Sequence, residues 1–201
     1  MFKKLIITAL LFMPLLVNAE SEDDAEIHQQ LRQLLTGIET AVNTEHYADL
    51  NTFFHQNLRV TTVNQNTISS YADMQAYFKD WFGEDGYLVS LKMTLSPDAL
   101  TELYHNKTMG IVRGDGIEKY KLSDGRDIDL KTRWTATVIK DDGGQWRILA
   151  LHLGTNFYDN AIYHETKNYL TKMGIIGTVL ALVLGVGLGF YLRGRKRKGT
   201  A

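Results

Sequence analysis

Apolar residues at Ile27, Leu31, Leu34, Leu35, Ile38 and Val42 recur with helical spacing and predict an amphipathic helix of about 20 residues. A shorter helix is predicted over His46 to Phe54, and Leu58 to Val63 reads as a strand. Ser70 followed by Asp73 resembles a capping box, and Met74, Tyr77, Phe78 and Trp81 continue it at helical spacing up to Gly83. From there the period changes to two. Leu88 to Leu95 forms one strand, and Leu100 to His105 with Thr108 to Arg113 forms a broken strand or a pair. Glu118 to Leu122, Ile128 to Ile139 and Gln145 to Asn156 follow, separated by Ser123-Asp124-Gly125 and by Asp141 to Gly144, both turn signals. Helices first and a long-stranded meander afterwards predict an α+β domain with the helices on one face of the sheet.

Two segments lie outside this pattern. Leu5 to Val17 is an apolar run behind Lys3 and Lys4, followed by Val17-Asn18-Ala19 with small residues suited to a cleavage site, so residues 1–19 read as an export signal. Residues 173–192 contain no charge and as a helix cover about 30 Å, the thickness of bilayer hydrocarbon. Tyr169 and Tyr191 stand near the two ends, and a basic tail, residues 193–201, follows. The expected organisation is therefore a signal (1–19), an exported domain (20–160), a juxtamembrane linker (161–172), one transmembrane helix (173–192) and a cytoplasmic tail. The expected location is an inner membrane crossed once, with the domain on the periplasmic side. Gly177, Ala181, Gly185 and Gly189 make a small-residue stripe suited to helix association.

The charge distribution agrees with this division. The 201 residues carry a formal net charge of −1. Residues 20–172 hold 15 basic and 23 acidic residues, a net of −8, whereas Arg193, Arg195, Lys196, Arg197 and Lys198 contribute +5. An acidic exported domain does not suit nucleic-acid binding, which depends on cation–phosphate contacts. With Cys 0, disulfides, thiolate metal sites and cysteine nucleophiles are excluded, and the histidines show no metal-ligand spacing. No metal or cofactor is expected. Gly114-Asp115-Gly116 reads as a turn or bulge, because no helix follows it to complete a phosphate loop.

The last hairpin carries the most specific pattern. Arg133-Trp134-Thr135-Ala136 precedes Gly144-Gln145-Trp146-Arg147-Ile148, then Leu151-His152-Leu153-Gly154-Thr155-Asn156. This resembles the ending of SnoaL-like proteins of the NTF2-like superfamily, over about residues 25–160. The resemblance implies a cone in which N-terminal helices pack on a curved antiparallel sheet around a pocket, with the outer sheet face available for a homodimer. Such proteins include isomerases, cyclases, dehydratases and binding modules, so the fold does not choose an activity.

Within the implied pocket His152 is the candidate acid or base. Strict alternation groups it with Trp146, Ile148 and Ala150, but the hairpin register decides which group faces inward. An odd loop, or a bulge at Gly143-Gly144, sets His152 beside Trp134; a two-residue turn at Asp142-Gly143 sets it near Arg133 and turns the leucines inward. The first is preferred, because it gathers His152, Trp134 and Asn156 beneath Tyr77 and Trp81. Arg133 is a register-dependent candidate for an anion, or an outer-face residue paired with an acid. Three expectations of function follow: a binding module for a small apolar or amphipathic molecule, an isomerase, hydratase or cyclase acting through His152, and an assembly module at the membrane.

Overall fold

A computed structural model describes residues 22–83 and 86–198; the proposed signal lies outside them. The first helix, α1, spans Glu22–Asn43, and its stripe of Ile27, Leu31, Leu34, Ile38 and Val42 is buried. A 3-10 helix, Tyr47–Thr52, stands where the short second helix was expected. The strand β1, Phe54–Thr61, is followed by the two-residue β2, Thr67–Ile68, and by α2, Tyr71–Phe82. Ser70 caps α2: its Oγ accepts from the Asp73 amide at 3.1 Å, while Asp73 Oδ2 accepts from the Ser69 amide at 3.0 Å. One free amide of the first turn is thereby satisfied, and the residue before the cap is tied back to the helix.

The remaining strands are β3 (Leu88–Pro97), β4 (Glu102–Tyr104), β5 (Met109–Leu122), β6 (Asp127–Lys140) and β7 (Trp146–Thr155). They form one sheet in the order β2-β1-β7-β6-β5-β3, with β4 beside β5. The expected meander is present, but the sheet is mixed, because β1 joins β7 in parallel. The helices pack on the inner face of the sheet, α1 against β3 and β7 and α2 against β2 and β3. The core lies between them and the sheet, around Leu58, Met74, Trp134, Ala136, Val138 and Ile148.

Gly114-Asp115-Gly116 is neither turn nor bulge. It lies inside β5, in continuous register with Trp134, Arg133 and Thr132 of β6. The glycines are there for room. A Cβ at Gly114 would collide with the Ser96 carbonyl and the Trp134 ring, and one at Gly116 with the Thr132 hydroxyl.

The last helix, α3, runs from Ala161 to Lys198 without interruption. The stretch expected to be a linker is thus its first three turns. It is long and apolar enough to cross a membrane. Its residues are exposed from Tyr163 to Arg193, whereas the apolar residues of α1 are buried in the core.

Candidate functional site

The decisive local feature is a bulge in β7. Pairing with β6 runs Lys140 to Trp146, Ile139 to Arg147 and Val138 to Ile148, then shifts so that Thr137 meets Ala150. Leu149 is the extra residue. Up to Ile148 the even-numbered residues face the core, and Trp146 and Ile148 are both buried. Past the bulge the odd-numbered ones do, and Leu151 and Leu153 face inward. A bulge reverses facing in this way because side chains alternate with a period of two.

His152 therefore lies on the outer face, exposed, opposite Thr135 and Thr61. This corrects the expected facing of His152: the odd loop between Asp141 and Gln145, with Gly144 at positive φ, sets Trp146 and Ile148 on the face of Val138 as the preferred register requires, and the further bulge at Leu149 then turns His152 outward. The other expected site residues separate as well. Arg133 is on the outer face, where Nη1 donates to Asp98 Oδ1 at 2.9 Å and to Asp115 Oδ1 at 2.8 Å. These bonds hold the exposed Asp98 carboxyl below the usual carboxylate range. Trp134 is buried, and its Nε1 donates to the Asp115 carbonyl at 2.9 Å. It lines a second cavity, between α1 and the other end of the sheet. Asn156 is exposed beyond β7 and accepts the Tyr158 amide at 3.0 Å. Trp81 is half-buried, with its ring 6.3 Å from that of Tyr77. Of the six expected residues, only Tyr77 lines the cavity described next.

That cavity, of about 110 Å³, lies between α1, the 3-10 helix, α2 and the inner faces of β1, β3, β5 and β7. Its wall is almost wholly apolar, with Leu50, Phe54, Val60, Met74, Phe78, Phe82, Leu91, Leu151 and Leu153 contributing. Its polar groups are Thr62, Tyr77, Glu118 and Tyr120. Glu118 is 3% exposed, in contrast to the other acids of the sheet. The Tyr120 hydroxyl donates to its Oε2, and the Thr132 hydroxyl donates to its Oε1 at 3.1 Å. Burial pushes the Glu118 carboxyl up, and the bonds from Tyr120 and Thr132 oppose that only in part. Tyr120 is raised by burial and then by the neighbouring Glu118, so its hydroxyl stays protonated at any ordinary pH. Tyr77 is raised chiefly by burial, against bonds to Thr62 and Asn64 that lower it.

Glu118 was not among the residues singled out from sequence, although a signal was there. Leu122, Tyr120 and Glu118 alternate, so an inward leucine at the end of β5 brings the acid inward as well. The arrangement offers a protonatable carboxyl and two phenols at one end of an apolar space. It can hydrogen-bond one polar group of a ligand, or exchange one proton with it. Among the described residues no group of histidines and acids could hold a metal ion.

No family model matches the sequence, and no curated protein matches it. Solved structures do. A scytalone-dehydratase-like protein of Novosphingobium aromaticivorans superposes with a TM-score of 0.58 over 67% of this chain and 88% of its own, at 16% identity. An NTF2-like superfamily protein of Salmonella enterica gives a TM-score of 0.54 over 68% and 96%, at 13% identity. The domain has the NTF2-like fold. A hexachlorocyclohexane dehydrochlorinase, LinA type 2, is similar at a TM-score of 0.57 over 68% of this chain and 90% of that one, with 13% identity. The helices, the mixed sheet and the cavity between them thus form the cone that the last hairpin suggested, and α3 is an addition to it.

Proposed function

We propose that this NTF2-like domain is a binding module for a small, mostly apolar molecule bearing one uncharged polar group, held at a membrane by α3. The observation that carries the reading is Glu118 with Tyr120 in an otherwise apolar cavity. Wall and polar handle together are the composition of a small-molecule site. A cavity of this size accommodates a group on the scale of one small ring. A carboxylate-bearing ligand is disfavoured, since Glu118 would face it across a medium that screens charge poorly. In this reading the chain is exported, α3 crosses the inner membrane once, and the basic tail remains inside, as positively charged flanks do. Two copies associate through the stripe of Gly177, Ala181, Gly185 and Gly189 or through the outer sheet face, where Ile111 and Ile117 are exposed.

The test is thermal unfolding of the detergent-solubilised full chain against small cyclic alcohols and ketones and the matching carboxylates. A ligand at about 100 times its Kd stabilises by about 2.7 kcal/mol. Protection by the uncharged series, lost in Tyr120→Phe and Glu118→Gln, supports the reading; protection by none of them, or equally in both variants, ends it.

A second reading, an enzyme of the isomerase or hydratase type, draws on the same acid. The acid/base role expected of His152 passes to Glu118, whose proton is held more tightly than usual beside a protonated phenol. Turnover abolished in Glu118→Gln and unaffected in His152→Ala would support it.

A further inference from the structure

We infer that the cavity is filled from the bilayer beside it, and that its ligand is a single-chain amphiphile with an uncharged head such as a hydroxyl. This deepens the binding reading and rests on it. The strand directions carry the argument. β1 and β7 run parallel, and β7, β6, β5 and β3 alternate, so β1, β7 and β5 end on the side of the sheet where β3 and β6 begin; β7 stops at Thr155, opposite Thr132, and the β5–β6 hairpin runs on past it to a rim where β3 starts. The chain leaves the sheet on this side after Thr155, enters α3 at Ala161 and packs α3 against β6.

The β5–β6 turn at the same rim is tied to α3. Arg126 Nη1 donates to Glu165 Oε1 at 2.8 Å, and its Nη2 donates to the Tyr87 hydroxyl at 2.9 Å. Glu165 precedes Met173 by eight residues, so the turn stands about 12 Å above the hydrocarbon, only a few ångströms beyond the headgroup layer. Tyr87, Phe157, Tyr158 and Tyr163 are exposed around it, and such rings favour the membrane interface.

The cavity reaches this rim. Its lining residue Leu88 is partly exposed there and pairs with Leu122 next to the turn. The lining residues Leu50, Phe54 and Met74 close the interior. Glu118 sits four residues back along β5 from Leu122, about 13 Å inside the rim. A molecule entering head first brings its polar group to Glu118 and Tyr120 and leaves its chain pointing to the rim and the lipid. The modest volume suits a head and the first part of a chain, and the acid selects against an anionic head.

The experiment uses the full chain in vesicles of phosphatidylethanolamine and phosphatidylglycerol containing a long-chain alcohol with a photoactivatable diazirine near its hydroxyl. A short, water-soluble diazirine alcohol is added separately, and labelled peptides are mapped by mass spectrometry. The expected result is labelling of Tyr71–Phe82 and of β5 by the bilayer-dissolved alcohol. Leu88→Trp, which narrows the rim, and Arg126→Ala, which cuts the tie without touching the cavity wall, each lower that labelling several-fold. The matching long-chain carboxylate labels the cavity weakly. Label from the long-chain alcohol confined to α3 and Phe157–Tyr163, with the short alcohol still reaching the cavity, overturns supply from the bilayer and leaves the binding reading standing. Equal bilayer labelling in the parent and in both variants also overturns it. Failure of both alcohols to reach the cavity ends the two readings together.

Discussion

The two faces of the β5–β6 pair place similar charges in opposite circumstances. On the outer face Arg133 holds Asp98 and Asp115 in an exposed cluster. On the inner face Glu118 has two hydroxyl partners and, among the described residues, no cation, and it is almost fully buried. Solvent and salt screen the first group, so it contributes little to folding. The second pays for its burial with a shifted titration, and that shift persists because the sheet and helices keep water away. A charge cluster is conspicuous in a sequence, but it is the solitary buried acid that marks a place where chemistry or selective binding can occur.

The contrast can be tested most strongly at Trp134. Its ring is buried on the inner face over Gly114, so Trp134→Ala is expected to destabilise the domain by about 3–5 kcal/mol in a denaturant melt. Glu118→Gln tests the acid itself through pH. The folded carboxyl titrates above its ordinary value of 4.5, so folding is favoured by the bound proton. That contribution is complete below about pH 4.5 and is lost as pH rises through the raised folded value. The melting midpoint of Glu118→Gln should therefore gain on that of the parent as pH is raised from 4, then level off. A constant difference across the range would place the acid in ordinary solvent. Arg133→Ala should produce the smallest effect. Its midpoint is expected to match the parent in about 0.15 M salt, with a difference emerging only at low ionic strength. His152→Ala belongs with Arg133→Ala, since the two side chains share the outer face; a loss of ligand protection in it would contradict the inner–outer division.

Much of the architecture was legible in the residue pattern. The helical stripe from Ile27 to Val42, the cap at Ser70, the hairpin turns and the uncharged run 173–192 are local signals, and local signals survive folding. The parallel joining of β1 to β7 is not local, since nothing in either segment specifies its partner. The site was less legible for a related reason. Strict alternation in β7 assumes an unbroken ladder, and the bulge at Leu149 lies in an apolar run, Ile148 to Leu151, where either facing suits the side chains. His152 and Trp134 were thereby assigned together, although they point to opposite faces. Glu118 was readable by parity with Tyr120 and Leu122, but it stands among exposed acids and lysines of the same hairpin and no motif marks it. The expected turn at Gly114–Gly116 failed because glycine supplied space for Trp134 and Thr132 there, and not a change of direction.

The extra residue in β7 has a consequence for how the molecule can change. Ile148 lines the compartment beneath α1, whereas Leu151 and Leu153 line the one that holds Glu118. One strand serves two rooms, and Leu149 is the joint at which its reading frame switches between them. Were the bulge pulled straight with Leu149 taken into the ladder, the far half of the strand would turn over, bringing an imidazole indoors and exposing two leucines, while the near half stayed in place. The bulge at this joint, more than the identity of any one lining residue, governs what the room around Glu118 contains.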